Sequence, residues 1–133
     1  KEESLSNEAA FGLPCDQPAP RQVPVTQTPF QIVLTTCPDG DSAGRIARAL
    51  VEERLAACVH ILPPMRSIYR WKGQVEDTPE QLLVIKILQA RFPAVMDRIR
   101  ALHPYELPEI IAVPIADGHP DYLAWLQNPE SPT

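Results

Sequence analysis

The chain has 133 residues, of which 44% are apolar and 22% charged, and it carries 16 prolines but only 5 glycines. A single domain of this size buries about two-thirds of its unfolded surface and folds without disulfides. Twelve basic against seventeen acidic residues give a net charge of −5 without a local basic cluster, which argues against nucleic-acid binding. No apolar run approaches the roughly 18–20 residues that cross a bilayer, so we expect no membrane-spanning segment.

The three cysteines predict a reducing compartment. Cys15, Cys37 and Cys58 are too widely spaced for a CxxC motif, and their odd number does not fit a disulfide framework. Residues 1–13 are acidic and lack the apolar stretch of a signal peptide. We therefore expect a cytoplasmic protein.

Prolines divide the chain into a folded body and two tails. Five of them lie within residues 1–29, among Gln, Ala, Ser and Thr without helical or strand periodicity, which predicts an extended proline-rich N-terminal tail. One domain is predicted over residues 30–128. A short C-terminal tail follows at residues 129–133.

The body begins with a strand and a helix. The apolar, β-branched run at residues 30–36 ends at Pro38-Asp-Gly40, which predicts a buried strand followed by a turn. Apolar residues then recur at three- and four-residue steps from Ala43 to Leu55, the pattern of an amphipathic helix. Asp39 or Asp41 is the expected N-cap.

The remaining pattern completes a ferredoxin-like α+β fold. In chain order we predict strands at 57–62 and 66–71, a turn at 72–73, a strand at 82–88, a helix at 92–102, a strand at 109–115 and a closing helix at 121–126. This order is the split βαβ arrangement, in which two main helices cover one face of an antiparallel sheet. Since a monomer rarely exposes a large apolar patch, we expect other copies of the chain to cover the open face.

Candidate site residues concentrate in the loop that follows the second helix. Two prolines hold His103-Pro-Tyr-Glu-Leu-Pro-Glu109 in extended geometry, so His103, Tyr105, Glu106 and Glu109 are presented rigidly. Rigid loops of this kind carry binding sites. A helix-ending turn, with the histidine near the negative end of the helix dipole, explains the same residues equally well.

Three further residues stand out on the strands. Tyr69 and Trp71 share one strand face, either as packing and interface anchors or as a ligand platform. Lys86 is the single charge in a very apolar strand and needs a carboxylate partner, for which Glu106 or Glu109 is the expected choice.

Two interpretations fit the cysteines of the folded body. Cys37 and Cys58 fit small buried apolar residues, while Cys58 and His60, two residues apart on one strand face, offer a thiol and an imidazole to a soft metal ion. Two ligands alone do not define a site. No glycine-rich phosphate loop and no GxSxG nucleophile is present, so the sequence favours a protein without enzymatic activity.

Five stretches in order and spacing carry a family resemblance: Thr36-Cys-Pro38, Ile46 to Ile61, Ser67 to Gly73, His103 to Ile110, and Asp121 to Trp125. Together they resemble the CutA family, proteins associated with divalent-cation tolerance, from about Ile32 to Leu126. The resemblance implies a compact homotrimer with clefts between subunits, an architecture similar to PII-type signalling proteins, and no established enzymatic reaction. It implies that a cleft gathers the predicted ligand and metal residues: Cys37, Tyr69, Trp71, Lys86, His103, Tyr105, Glu106 and Glu109.

The function expected from this resemblance is a response to divalent metal ions. Cu(II) or a similar ion would bind weakly to His103 with Cys37 or a neighbouring carboxylate, because imidazole and thiolate are good ligands for copper. The chain departs from the family pattern at His60, where Asn is usual, and at Leu102, where some members have a second histidine. A paired-histidine copper site at this loop is therefore ruled out.

An alternative function follows from the PII-like architecture. A signalling or scaffold trimer would hold a small anionic ligand between Tyr69, Trp71 and Lys86 and report it to an unidentified protein partner. In either reading the predicted partner is the chain itself, as a homotrimer, with neither nucleic acid nor membrane involved.

Overall fold

The computed structural model describes residues 28–130, so nearly all of the predicted N-terminal tail and most of the C-terminal tail lie outside the described residues. The strands are β1 (Phe30–Cys37), β2 (Cys58–Ile61), β3 (Met65–Trp71), β4 (Gln74–Leu88) and β5 (Ile111–Pro114). The helices are α1 (Gly40–Glu52), α2 (Phe92–Leu102) and α3 (Pro120–Gln127), with a 3₁₀ turn at Gln89–Arg91.

Helix α1 begins at the predicted cap and ends earlier than predicted. Of the two candidate aspartates, Asp39 is the N-cap, and its Oδ1 accepts the Ser42 backbone N–H at 2.8 Å. Hydrogen bonds from the backbone and side chain of Ser42 hold the pKa of Asp39 below its usual value. The helix was expected to reach Leu55, but Arg54 takes a left-handed φ of 63° and the chain turns away after Glu52.

Strand β4 is the longest element and begins eight residues before the predicted start at residue 82. Lys72 and Gly73 form the predicted turn with φ values of 49° and 79°, the paired positive values of a tight hairpin. The first half of β4 pairs with β3 in this hairpin. The apolar pattern missed that half because the segment Gln74–Gln81 is mostly polar or charged, with Gln74 and Asp77 exposed and Glu76 and Thr78 half-buried.

The sheet has the predicted ferredoxin-like topology. The strand order is β2-β4-β1-β5, all antiparallel, and β3 pairs with the projecting half of β4. One face packs on α1 and α2 to form the core, whose fully buried members include Val33, Ile46, Leu50, Leu83 and Ile99. The fold class predicted from the sequence is confirmed.

The opposite face of the sheet is only partly covered. Its register places Ile32, Leu34 and Val84 beside one another as half-buried side chains. At the β5 edge, Ile111 and Val113 are 49% and 44% exposed. Helix α3 contacts this face at one end, where Tyr122 meets Lys86. Within residues 28–130, no helix is long and apolar enough to span a membrane.

The core predicts a large effect at one helix position. Leu50 on α1 is fully buried, so Leu50→Ala should lower the free energy of unfolding by about 2–5 kcal/mol through lost burial and the cavity left behind. The neighbouring Val51 is 43% exposed, and Val51→Ala should cost about 0.5 kcal/mol or less. Denaturant unfolding of both variants measures the difference, and equal losses would contradict this packing.

Candidate functional site

His103 caps the C-terminus of α2 and ties it to the end of β1. Its backbone N–H donates to Ile99 O, and its side chain is 8% exposed. Nδ1 accepts the Tyr105 backbone N–H at 3.0 Å, and Nε2 lies 2.7 Å from Thr36 O. Because a carbonyl can only accept, the ring proton sits on Nε2 and is donated to Thr36. Both ring nitrogens are therefore engaged within the subunit.

The structure brings Cys37 next to His103, as the predicted metal pair requires. Its Sγ is 3.9 Å from Nε2 and the residue is fully buried. Burial raises the pKa of the Cys37 thiol to about 11, although a hydrogen bond with Ser42 partly opposes this. A protonated thiol and an imidazole with two hydrogen bonds are poor metal ligands, so this pair does not fit a resident ion as it stands. Across residues 28–130, no group of three or more His, Cys, Asp or Glu side chains is placed to hold a metal.

A groove of about 680 Å³ lies on the open face, between the β3–β4 hairpin and the loop at residues 105–109. Ser67, Tyr69 and Trp71 lie together on this face, and the shared face of Tyr69 and Trp71 was predicted from their alternation. Five of the six predicted cleft residues line the groove: Tyr69, Trp71, Tyr105, Glu106 and Glu109. The loop after α2 thus both ends the helix and forms one wall of the groove.

Glu80 lines the same groove and was missed in the sequence. It is 7% exposed, and its Oε2 accepts the Tyr105 hydroxyl at 2.7 Å. Burial, together with this hydrogen bond and the Glu80 charge, raises the pKa of Tyr105, so the phenol remains a donor. Two-residue alternation back from Leu82 would have placed Glu80 on the open face if β4 had been extended into its polar half.

Lys86 lies away from the groove. It is six residues from Glu80 along β4, a distance of about 20 Å, and its expected pairing with Glu106 or Glu109 does not form within the subunit. Its Nζ instead donates to the Tyr122 hydroxyl at 3.0 Å and lies 5.2 Å above the Tyr122 ring centre. The position of Lys86 along β4 and its contact with helix α3 therefore give it different neighbours from those predicted.

The thiol and imidazole of β2 form a second cluster around Lys86. Cys58 Sγ lies 3.6 Å from His60 Nε2, and that nitrogen is 3.3 Å from Lys86 Nζ. His60 is exposed and Cys58 half-buried, so water and ions reach both. Alternation along the strand predicted this proximity. Unlike the buried pair, neither side chain is locked by hydrogen bonds to the backbone of described residues.

The buried thiol predicts a loss of stability in alkali. Because the pKa of Cys37 is about 11 in the fold against an ordinary value of 9.0, the unfolded chain loses this proton first. The contribution of Cys37 to stability is complete below pH 9 and declines as the pH rises towards 11. Denaturant unfolding across this range should show a shallower alkaline decline for Cys37→Ala than for the unmodified chain. Equal slopes would contradict the raised pKa, whatever the constant cost of the substitution.

The comparisons with known proteins all match the same family. Residues 31–129 match the family model described as CutA1 divalent ion tolerance protein. The divalent-cation tolerance protein CutA of Thermus thermophilus is 53% identical over 98 residues, 74% of this chain and 95% of that protein. A rice relative named Protein CutA 1, chloroplastic, is 40% identical over 103 residues, 77% of this chain and 58% of that protein.

Solved structures agree with the sequence matches. The crystal structure of CutA from Xylella fastidiosa superposes with a TM-score of 0.73 at 48% identity, covering 75% of this chain and 96% of that one. At this level of identity the likeness extends beyond the fold to the family.

Proposed function

Because this chain belongs to the CutA1 divalent ion tolerance protein family, we propose that it acts in the cytoplasm as a non-enzymatic homotrimer in the response to divalent metal ions. In this proposal it takes up Cu(II) or a similar ion weakly. The single observation that supports metal uptake most directly is the accessible Cys58–His60 pair, with sulfur and nitrogen 3.6 Å apart.

Copper chemistry favours this pair over the one predicted from the sequence. Imidazole and thiolate suit Cu(II), which stands at the top of the divalent affinity series. At Cys37 and His103 an ion would have to displace the Thr36 hydrogen bond and remove a proton from a buried thiol. At Cys58 and His60 no hydrogen bond to a backbone carbonyl has to be broken and the thiol is only half-buried, but the ion must displace the Lys86 ammonium, which lies 3.3 Å from His60 Nε2 and repels a cation. Two ligands beside a positive charge are consistent with weak uptake.

The absence of catalysis is supported by the same hydrogen bonds. Cys37 and His103 resemble a nucleophile and its base, but Nε2 already carries the proton that it donates to Thr36 O. It cannot accept the thiol proton in that state, and burial holds the thiol protonated. The pair therefore acts as a structural contact in this proposal.

Copper uptake is tested by anaerobic calorimetry with Cu(II) in a Cys15→Ser background, so that Cys37 and Cys58 are the remaining thiols. His60→Asn should weaken binding at least about tenfold, since one of two ligands is lost. His103→Ala should leave the affinity unchanged. His119→Asn is the matched control, because His119 caps α3, forms no hydrogen bond with any member of either pair, and Asn also caps helices.

Two results would contradict parts of this proposal. A loss of affinity in His103→Ala alone would return the ion to the buried pair with Cys37. Unchanged affinity in both His60→Asn and His103→Ala would remove histidine-based copper uptake altogether, while leaving the family assignment intact.

Assembly into a homotrimer is supported by the apolar side chains that one subunit leaves exposed. Ile68 and Val75 on the hairpin are each 65% exposed, and Ile111 and Val113 lie exposed at the β5 edge. A monomer of this size rarely leaves such surfaces uncovered. Neighbouring subunits would bury them.

Sedimentation equilibrium at micromolar concentration should therefore give about three times the subunit mass of 14.8 kDa. Ile68→Asp, at a position with few contacts inside the subunit, should shift the equilibrium towards smaller species because a buried charge is costly. Ala94→Asp on the exposed side of α2 is the control and should sediment like the unmodified chain. A monomeric unmodified chain would contradict the proposal.

The alternative anionic ligand is not favoured by the charge of the groove. Lys86, which was expected to bind it, lies elsewhere, and the residues lining the groove include carboxylates but no Lys, Arg or His. A PII-like role with such a ligand therefore has no specific contact to support it in the described part of the chain.

A further inference from the structure

We propose that the groove between the β3–β4 hairpin and residues 105–109 binds an organic cation, an ammonium or guanidinium group carried on an apolar body. Its volume of about 680 Å³ is in the ordinary range for small-molecule sites, roughly 300–1,000 Å³. Its lining combines carboxylates, aromatic rings and an apolar floor in one place. This ligand class differs in charge from the anionic ligand and in size from a metal ion.

The charge of the groove is entirely negative. Glu80, Glu106 and Glu109 line it, and no basic side chain does. Among residues 28–130, none of these three carboxylates forms an ion pair. Elsewhere on the same molecule Glu53 pairs with Arg98 and Asp77 with Arg66. The groove therefore holds carboxylates that the described part of one subunit leaves without a counter-charge.

Glu80 gives the strongest indication of a ligand. It is 93% buried, yet its Oε1 accepts no hydrogen bond from any described residue, while Oε2 accepts one from Tyr105. Oε1 keeps some solvent contact, since it is not among the fully buried atoms without a partner, but a carboxylate with so little exposure is costly unless its charge is paired. The Tyr105 hydroxyl orients the group without neutralising it. A cation in the groove would supply the missing charge and donate to the free oxygen.

The aromatic and apolar residues of the groove suit the rest of such a ligand. Tyr69 and Trp71 are each 40% exposed on the wall formed by β3, and Leu34 and Leu82 form the floor. A cation over the face of Trp or Tyr is attracted by the ring quadrupole, and an alkyl chain packs on the leucines. The rings and the carboxylates thus favour the same charge.

The placement of the carboxylates fits an organic cation better than a bare metal ion. Glu80 lies on β4, whereas Glu106 and Glu109 lie on the loop across the groove, and no three metal-ligating side chains of the described residues converge on one point. A divalent ion needs its oxygen ligands within about 2.0–2.6 Å. An organic amine, or a diamine with its charges several bonds apart, can reach separated carboxylates.

Calorimetry on the full chain in its native assembly tests the ligand class with four matched probes. They are 1,4-diaminobutane, butylguanidinium, 1,4-butanediol and succinate, which differ chiefly in charge. The two cations should bind, with the affinity of the dication falling as NaCl is raised, and the diol and succinate should not. Binding of succinate in preference to the cations, or no cation binding at millimolar concentration, would overturn the proposal.

Variants locate the binding. Glu80→Gln keeps an acceptor for the Tyr105 hydroxyl but removes the charge. The double variant Glu106→Gln with Glu109→Gln removes two negative charges at exposed positions, where folding is not at risk. Each should weaken 1,4-diaminobutane at least about tenfold. Glu52→Gln, an exposed carboxylate on α1 outside the groove, should not.

An equal effect of Glu52→Gln would show that the cation responds only to net charge and would overturn the assignment to the groove. So would unchanged affinity in the exposed double variant, which remains informative if Glu80→Gln fails to fold. The groove shares no residue with the Cys58–His60 pair, so the copper titration and this experiment fail or succeed independently.

Discussion

Strand β4 pairs with three other strands, and this continuous backbone ladder positions the rest of the structure. Its second half lies between β1 and β2 and carries Leu83 and Ile85 into the core under the helices. Its first half leaves the body and holds β3 in the hairpin. Alternation then fixes which side chains share the open face, because a shift of one residue would move each of them to the other side. Glu80 and Lys86 consequently share that face at separated points.

His103 makes the second fixed connection, between the end of α2 and the end of β1. Its ring bridges Thr36 O and the Tyr105 backbone N–H, both by hydrogen bonds in a buried setting. Tyr105 is thereby positioned to donate to Glu80. The histidine that was predicted as a metal ligand thus makes hydrogen bonds within the subunit that orient the wall of the groove. Buried polar groups that satisfy one another in this way are rigid.

The open face carries two chemically different regions as a result. At the hairpin end, carboxylates and aromatic rings face a groove without basic residues. At the α3 end, Lys86 lies with Tyr122, His60 and Cys58. The length of β4 separates them by about 20 Å, so one subunit cannot use Lys86 to neutralise the groove. The length of β4 therefore keeps the negative charges of the groove apart from the positive charge of Lys86.

Local pattern determined the fold class, the cap at Asp39, the turn at Lys72-Gly73 and the shared face of Tyr69 and Trp71, because these depend on neighbours within a few residues. The family was also readable from ordered motifs. Tertiary structure alone decided that β4 begins at Gln74, that Glu80 is buried against Tyr105, and that Lys86 meets Tyr122. The last two contacts join residues 25 and 36 positions apart. Strand register and packing determine which partner a charged side chain meets, and the local periodicity of the sequence does not contain that information.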